Sequence, residues 1–412
     1  MLDLLKNVRV LDLTSILMGP YATQMLGDYG ATIIKVEGLE GDATRKIGPW
    51  RNEGMGPVFL NANRNKRSLA IDLKAPEGRA ALLRLAENVD VVVSNIRPKA
   101  MARLGVTYEA LRQINPRIIY VGVVGFGSDG PYAGKPAYDD LIQGASTMAA
   151  LMDQSGNDGP RYIPTAAADR IVGLFAVSAV LAALHNRSVT GTGTSLEIPM
   201  FETMVSFVMG DHMGGRTFEP PLDGGGYQRQ LSLHRRPQRT SDGYICALIY
   251  SDQQWKSFAR LIGKAEEFDQ DPRYASISSR AANIDYIYAK LNAEFLKRTT
   301  AEWLRLLEEA DIPVLPMHDL VSIFDDPHLK ATNFFRRVDH PSEGTLHSVR
   351  FPVKAQSVPL EDLPVPAHGA HSVEILQDAG FTDVEIDALV GSGVVLSHSG
   401  GSRTRAVGGC ER

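Results

Sequence analysis

The residue with the clearest chemical potential lies in PTAAADRIVGLFA (164–176). Three alanines precede Asp169, and a long apolar stretch begins immediately after it. An aspartate in that setting has two uses. As an N-cap it accepts backbone N–H bonds at the start of a helix. As a carboxylate held at a helix end by small neighbours it leaves room for a ligand, and the helix N-terminus stabilises its charge. The two are compatible, and the local sequence leaves both open. Other motifs fail. GFGSDG (125–130) has the spacing of the dinucleotide fingerprint, but PYAGKP follows it where that fingerprint needs a helix. A loop is expected there. His368 and His371 flank Gly369 and its neighbour, which suits solvated imidazoles better than a metal pair, and no metal site is expected. Walker, HExxH and GxSxG patterns are absent.

The elements that must position Asp169 follow an alternating rhythm. VRVLDLT (8–14), ATIIKVE (31–37), VDVVVSN (89–95) and RIIYVGVVGF (117–126) read as strands, with a helix from Pro76 to about Asn88. Pro76 suits the first helical turn, where a missing N–H costs little. This order predicts a parallel sheet with helices on its faces. Two helices are expected between Tyr138 and Asn186, the second starting after Asp169, then a strand at 195–200 and a helix to about Met213. GGRTFEPPLDGGGYQ (214–228) is dense in glycine and proline and is the best boundary. A smaller α/β unit follows, with a strand in DGYICALIY (242–250) and helices near 253–261, 280–297 and 300–310. The expected organisation is a large domain from 1–225 and 325–395, a small domain from 226–324, and a disordered polar tail at 396–412.

Bulk properties exclude several classes. At 412 residues two domains are expected. A net charge of −5 lacks the basic footprint of a nucleic-acid binder. Two distant cysteines, Cys246 and Cys410, build neither a disulfide framework nor a zinc motif, which suits a reducing, cytoplasmic setting. The apolar run IVGLFAVSAVLAAL (171–184) is shorter than the roughly 20 residues that span a bilayer, so a buried helix and no membrane association are expected.

Eight segments in register resemble the class III CoA-transferase family, over about residues 5 to 390: VRVLDLTSILMGPYATQMLGDYGATIIKVE, GD (41–42), NRNKRSLAIDLK (63–74), SNIRPKAMARLG (94–105), NPRIIYVGVVGFG, YDDLIQGAS with the helix at Asp169, GTGTSLEIPMFE (191–202), and SDGYI through AEWLRLLEEADIPVLP. The resemblance implies a large Rossmann-like α/β domain built from both chain ends, a smaller α/β domain and an interlaced homodimer. It makes Asp169 the nucleophile that moves coenzyme A from an acyl-CoA, succinyl-CoA being the donor suggested, to a small carboxylic acid through mixed-anhydride and aspartyl-CoA thioester intermediates. Coenzyme A is then part of the substrate, with no tightly bound cofactor. An aspartate is already ionised at pH 7, so no general base is required.

The resemblance also carries Ile16, Leu73, Lys74, Asn95 and Arg103 over as the CoA channel, and Leu17, Tyr138, Gly225 and Gly226 as substrate contacts. The glycines resemble a loop that covers the active site in one branch, where backbone N–H groups could hold an oxyanion; an interdomain linker is the other reading. Leu17, Gly38, Ile96 and Lys99 depart from that branch, leaving the subgroup open. An acyl-CoA racemase of the same fold is one alternative, but AYDD (137–140) puts Tyr138 where a racemase carries histidine, and a phenol is a poor base at neutral pH. A non-catalytic CoA-binding protein is the other, and it would have no need of Asp169.

Overall fold

A computed structural model of the chain describes residues 1–156, 158–356 and 361–397. These divide into two compact units, one of 1–142, 165–204 and 333 onward, the other of 143–164 and 205–332.

The first unit is built on a seven-stranded sheet. Its strands are β1 (Arg9–Leu13), β2 (Thr32–Glu37), β3 (Lys66–Ile71), β4 (Val91–Ser94), β5 (Ile119–Val124) and β6 (Ser195–Pro199), parallel and in the spatial order 3-2-1-4-5-6. Val395–Leu396 adds an antiparallel edge beside β3. Both ends of the chain therefore contribute to one sheet. This strand order is that of the doubly wound dinucleotide-binding folds, in which ligands sit at the C-terminal ends of the strands where the winding reverses. Here that point lies between β1 and β4.

The helices that bear on the site are α1 (Met18–Asp28), α2 (Pro76–Ala86), α3 (Pro98–Leu104), α4 (Asp139–Ala145), α5 (Ala167–Thr190) and α6 (Met200–His212). Pro76 occupies the first turn of α2, as expected. One face of the sheet is aliphatic. Leu11, Leu13, Ile34, Val36, Leu69 and Ile71 alternate along three strands and pack on Leu82 and Leu85 of α2 and on Ile375 and Leu376. The intervening positions point the other way and carry Asp12, Lys35, Glu37 and Lys66, all buried.

The smaller unit has a three-stranded antiparallel sheet, β7 (Gln238–Arg239), β8 (Tyr244–Ala247) and β9 (Val314–Pro316). Helices α7 (Asp252–Leu261), α8 (Ile284–Phe295) and α9 (Thr300–Glu309) close a core of Ile245, Trp255, Phe258, Phe295 and Trp303. Capping boxes, Ser251 with Gln254 and Thr299 with Glu302, fix the starts of α7 and α9.

Several expectations are corrected. The division does not fall at 225 and 325: residues 143–164, 205–225 and 325–332 group with the smaller unit, because the glycine-rich stretch is fastened to the end of α6 rather than spanning a gap. Among the described residues three helices, not two, lie between Tyr138 and Asn186, with Met148–Gln154 as the addition. The apolar helix runs for 24 residues, since Ala167–Arg170 and His185–Thr190 continue it beyond the strictly apolar run. By length and composition α5 could cross a bilayer. Its buried face, including Val172, Gly173, Ala176 and Val180, packs against α1 and β5 as a core helix does. Leu396, assigned to the tail, is paired with Ala70; the tail from 398 lies outside the described residues.

Candidate active site

Asp169 is the third residue of α5, and Ala166 stands at the N-cap without a side-chain bond. The N-cap reading of Asp169 is thereby corrected. A helix leaves its first N–H groups without intrahelical partners. At Asp169 that N–H donates to Oδ1 of Asp139, the first residue of α4, at 2.9 Å. The helix end is thus capped from a different element, and the Asp169 side chain is released from capping. It is half-buried. Burial, then the like charge of Asp139, push its carboxyl up to about 6, with Arg170 opposing. Among the described residues that carboxylate has no hydrogen-bond donor and no ion pair. At neutral pH it is ionised yet more basic than an ordinary aspartate. That combination suits a nucleophile.

Small residues let α5 sit close to α1. A Cβ on Gly173 would come within 3.0 Å of the Met18 carbonyl oxygen and 3.1 Å of the Tyr21 ring. Arg170 lies over the same ring, 4.2 Å from its centroid. The segment leading into α5 is steadied within the smaller unit, where Gln143 accepts the Ile163 N–H at 2.9 Å.

The strand ends of the sheet collect most of the residues singled out from the sequence. Ile16 and Leu17 follow β1, Leu73 and Lys74 follow β3, Asn95 follows β4, and Arg103 lies on α3. Asn95 clamps the reversal point: its Oδ1 accepts the Ser15 N–H at 3.0 Å and its Nδ2 donates to the Ser15 carbonyl at 2.8 Å. Leu17 is buried at the start of α1, Leu73 packs on the aliphatic core, and Lys74 and Arg103 are exposed. Tyr138 precedes α4 and is 68% exposed, so it is not a packed core residue.

Gly225 and Gly226 belong to the smaller unit, both in the left-handed region. Their amides are already engaged. The Gly225 N–H donates to Asp223 Oδ1 at 2.7 Å and the Gly226 N–H to the His212 carbonyl at 2.9 Å. Asp223 also accepts the Gly215 N–H at 2.7 Å, closing the loop on the end of α6. Neither an oxyanion donor nor a loose linker fits that bonding.

The glycine-rich segment after β5 is a loop, as expected, and its bonding adds detail. No helix begins there before α4, and the amides of Gly127 and Ser128 donate to Glu202 and Glu197 at 2.9 and 2.8 Å, filling the places a phosphate would need. His368 bonds the Gly38 carbonyl at 2.9 Å and His371 accepts the Ser68 N–H at 3.2 Å, so the two rings serve the backbone separately.

Sequence reasoning missed two groups. Asp139 stands in the AYDD segment, where the sequence reading rests on Tyr138 alone. The second is a buried set of charges under β1–β3. Lys66 donates to Asp12 Oδ2 at 2.9 Å, Lys35 to Asp42 Oδ2 at 3.0 Å, and Arg45 to both oxygens of Glu37 at 2.7 and 2.8 Å. Burial pushes the Asp12 and Glu37 carboxyls up, but Lys66 and Lys35 in one case and Arg45 in the other outweigh it and hold each at about 2.

Comparison with known proteins gives the family. The model of CoA-transferase family III matches residues 5–372. The succinate–glutarate CoA-transferase of Agrobacterium fabrum is 33% identical over 388 residues, covering 91% of this chain and 95% of that protein. The succinyl-CoA:mesaconate CoA-transferase of Haloarcula marismortui is 32% identical, covering 91% and 96%. Among solved structures, a CAIB/BAIF family protein from Brucella suis superposes with a TM-score of 0.73 at 32% identity, over 91% of this chain and 99% of that one.

Proposed function

The chain belongs to CoA-transferase family III and is a CoA-transferase, and from that premise we propose that it transfers CoA between short dicarboxylic acids by covalent catalysis on Asp169. The observation that carries this reading is the unpaired, half-buried carboxylate at the start of α5, raised to about 6.

The Asp169 carboxylate attacks the thioester carbonyl carbon, the carbon–sulfur bond breaks, and CoA leaves as thiolate with the bonding pair. The mixed anhydride so formed is attacked by that thiolate at the aspartyl carbonyl, expelling the donor acid and leaving an aspartyl-CoA thioester. The acceptor carboxylate displaces the thiolate, and the thiolate then attacks the acceptor half of the new anhydride. Acyl-CoA leaves and Asp169 is restored. No proton changes hands, which suits a site whose nucleophile is ionised at neutral pH.

In this reading the CoA lies at the winding reversal, with Ile16, Leu73 and Asn95 along its channel and Lys74 and Arg103 toward its phosphates. Leu17 and Tyr138 stand beside the acyl group. A short diacid is the substrate class because the relatives in Agrobacterium and Haloarcula carry succinate, glutarate and mesaconate in their names. A homodimer is part of the proposal, and the apolar stripe that α5 leaves exposed, Leu174, Phe175, Leu181 and Val189, gives a second copy a surface to cover.

The test incubates the protein with succinyl-CoA and radiolabelled glutarate, then treats a parallel sample with hydroxylamine and maps modified peptides by mass spectrometry. Label should enter the CoA pool, and an aspartyl hydroxamate should appear at residue 169. Asp169→Ala should lose both. Exchange of the α-proton of a branched acyl-CoA without acceptor would instead support a racemase, and exchange persisting in Asp169→Ala would remove the nucleophile from the account.

A further inference from the structure

The loop between β1 and α1 is held in a shape it would not adopt alone. Ile16 has φ +70°, in the left-handed region. A β-branched residue there is a steric outlier that persists only where its surroundings enforce it. The enforcing group is Asp42. Its two carboxylate oxygens accept the Ile16 N–H at 3.3 and 3.2 Å. Asp42 is itself fixed: Lys35 donates to Oδ2 at 3.0 Å, and the Thr44 N–H and hydroxyl donate to Oδ1 at 3.0 and 2.8 Å. Lys35 reaches the same loop from below, donating to the Thr14 carbonyl at 3.1 Å. Both side chains are sealed from solvent, at 0% and 1% exposure.

The two anchors act from opposite sides of the winding reversal. Asn95 grips Ser15 from β4, while the Lys35–Asp42 pair grips Thr14 and Ile16 from the β2 side. Between them each of residues 14–16 is held by a backbone hydrogen bond, and Ile16 projects its side chain to the surface at 36% exposure. A buried ion pair is weak evidence for stability in itself, since removing two charges from water costs as much as their attraction returns. Its value here is geometric.

We propose that Asp42, supported by Lys35, is a positioning residue for acyl-CoA: it holds Ile16 in the left-handed conformation that shapes the channel wall at the end of β1. The inference rests on the reading that places CoA at this crevice. Asp42 touches no substrate in this account and acts only through the backbone of residue 16.

A four-protein cycle tests it: the unaltered protein, Asp42→Asn, Ile16→Gly, and the double variant, each assayed for kcat and for KM toward acyl-CoA. Asp42→Asn with Ile16 in place should raise KM roughly tenfold, the loss of one charge-assisted hydrogen bond, with kcat little changed. Glycine adopts φ near +70° unaided. In the Ile16→Gly background the same Asp42 change should therefore alter KM by less than about threefold, a coupling that simple destabilisation does not produce. If Asp42→Asn alone does not fold, the cycle is run with Lys35→Met added to both members that carry Asp42→Asn, which removes both charges together.

An equal KM penalty in both backgrounds overturns the proposal, as does a fall in kcat at unchanged KM. Asp169→Ala is measured beside the cycle. If it is inactive and the cycle shows no coupling, the positioning role alone fails; if it remains active, the functional reading fails first.

Discussion

Two sets of buried carboxylates in the same unit meet opposite fates. Under β1–β3, Asp12 accepts from the Thr14 N–H, the Thr23 hydroxyl and Lys66, while Lys66 Nζ also lies within hydrogen-bond distance of the Pro20 carbonyl, the Thr23 hydroxyl and the Asn63 amide oxygen. At the start of α5, Asp169 has a like-charged neighbour in Asp139 and a cation only in Arg170, which lies over Tyr21. Burial raises the carboxyl in both places. What differs is the partner, and the outcome is about 2 for Asp12 against about 6 for Asp169. Burial drives Lys66 down to about 8, against the pull of Asp12, so that pair is still largely charged at pH 7. Charge that is fully compensated builds structure; charge left uncompensated is available for chemistry.

The sharpest way to break that contrast is to exchange losses between the regions. Lys66→Met takes from the buried Asp12 carboxylate the ammonium bonded to it and should cost about 3–5 kcal/mol, read as a lower urea midpoint. Asp169→Asn should do the reverse. A carboxyl raised in the folded state destabilises it as pH rises from the unfolded value near 3.8 through about 6. Removing that charge should therefore stabilise the protein at pH 7, by about 1 kcal/mol after allowance for solvent screening, while abolishing transfer. Equal stability changes in the two variants would erase the distinction.

The same contrast explains how much of the molecule is legible in the chain itself. Strands β1, β2, β4 and β5 were legible because β-branched runs alternate with helical patterns, and Asp169 because three alanines and an apolar helix frame it. The ionic network was not. LDL and IKVE alternate as a strand with a solvated polar face would, and nothing local shows that the face is covered or that Asp12 stands across from Lys35 in register. Asp139 escaped for a similar reason: it caps a helix 30 positions away in sequence. The glycine stretch misled because a Gly/Pro-rich run reads as a boundary, whereas Asp223 ties it into a closed loop.

A finer test separates the two causes of the raised carboxyl at 169. Asp139→Asn keeps an oxygen to accept the Asp169 N–H and removes the like charge. The acid limb of the rate profile, centred near 6, should move down, because the ionised nucleophile is easier to form. At pH 5 the rate relative to that at pH 8 should rise, since more of the enzyme is then ionised. An acid limb that stays in place would assign the whole perturbation to burial.

The smallest expected effects come from the exposed cations. Lys74 and Arg103 meet water, so a phosphate gains from each only what screening leaves. Lys74→Ala and Arg103→Ala should each raise KM for acyl-CoA about two- to threefold at low salt, leave kcat alone, and lose most of that difference near 0.5 M salt. The salt dependence is the informative part. It distinguishes a screened surface contact from the buried Lys35–Asp42 pair, whose influence on KM should survive the same salt because no counterion reaches it. If the Lys74 and Arg103 penalties also persist at high salt, those side chains are enclosed when CoA binds, and the line drawn between compensated and exposed charge shifts outward by one layer of the crevice.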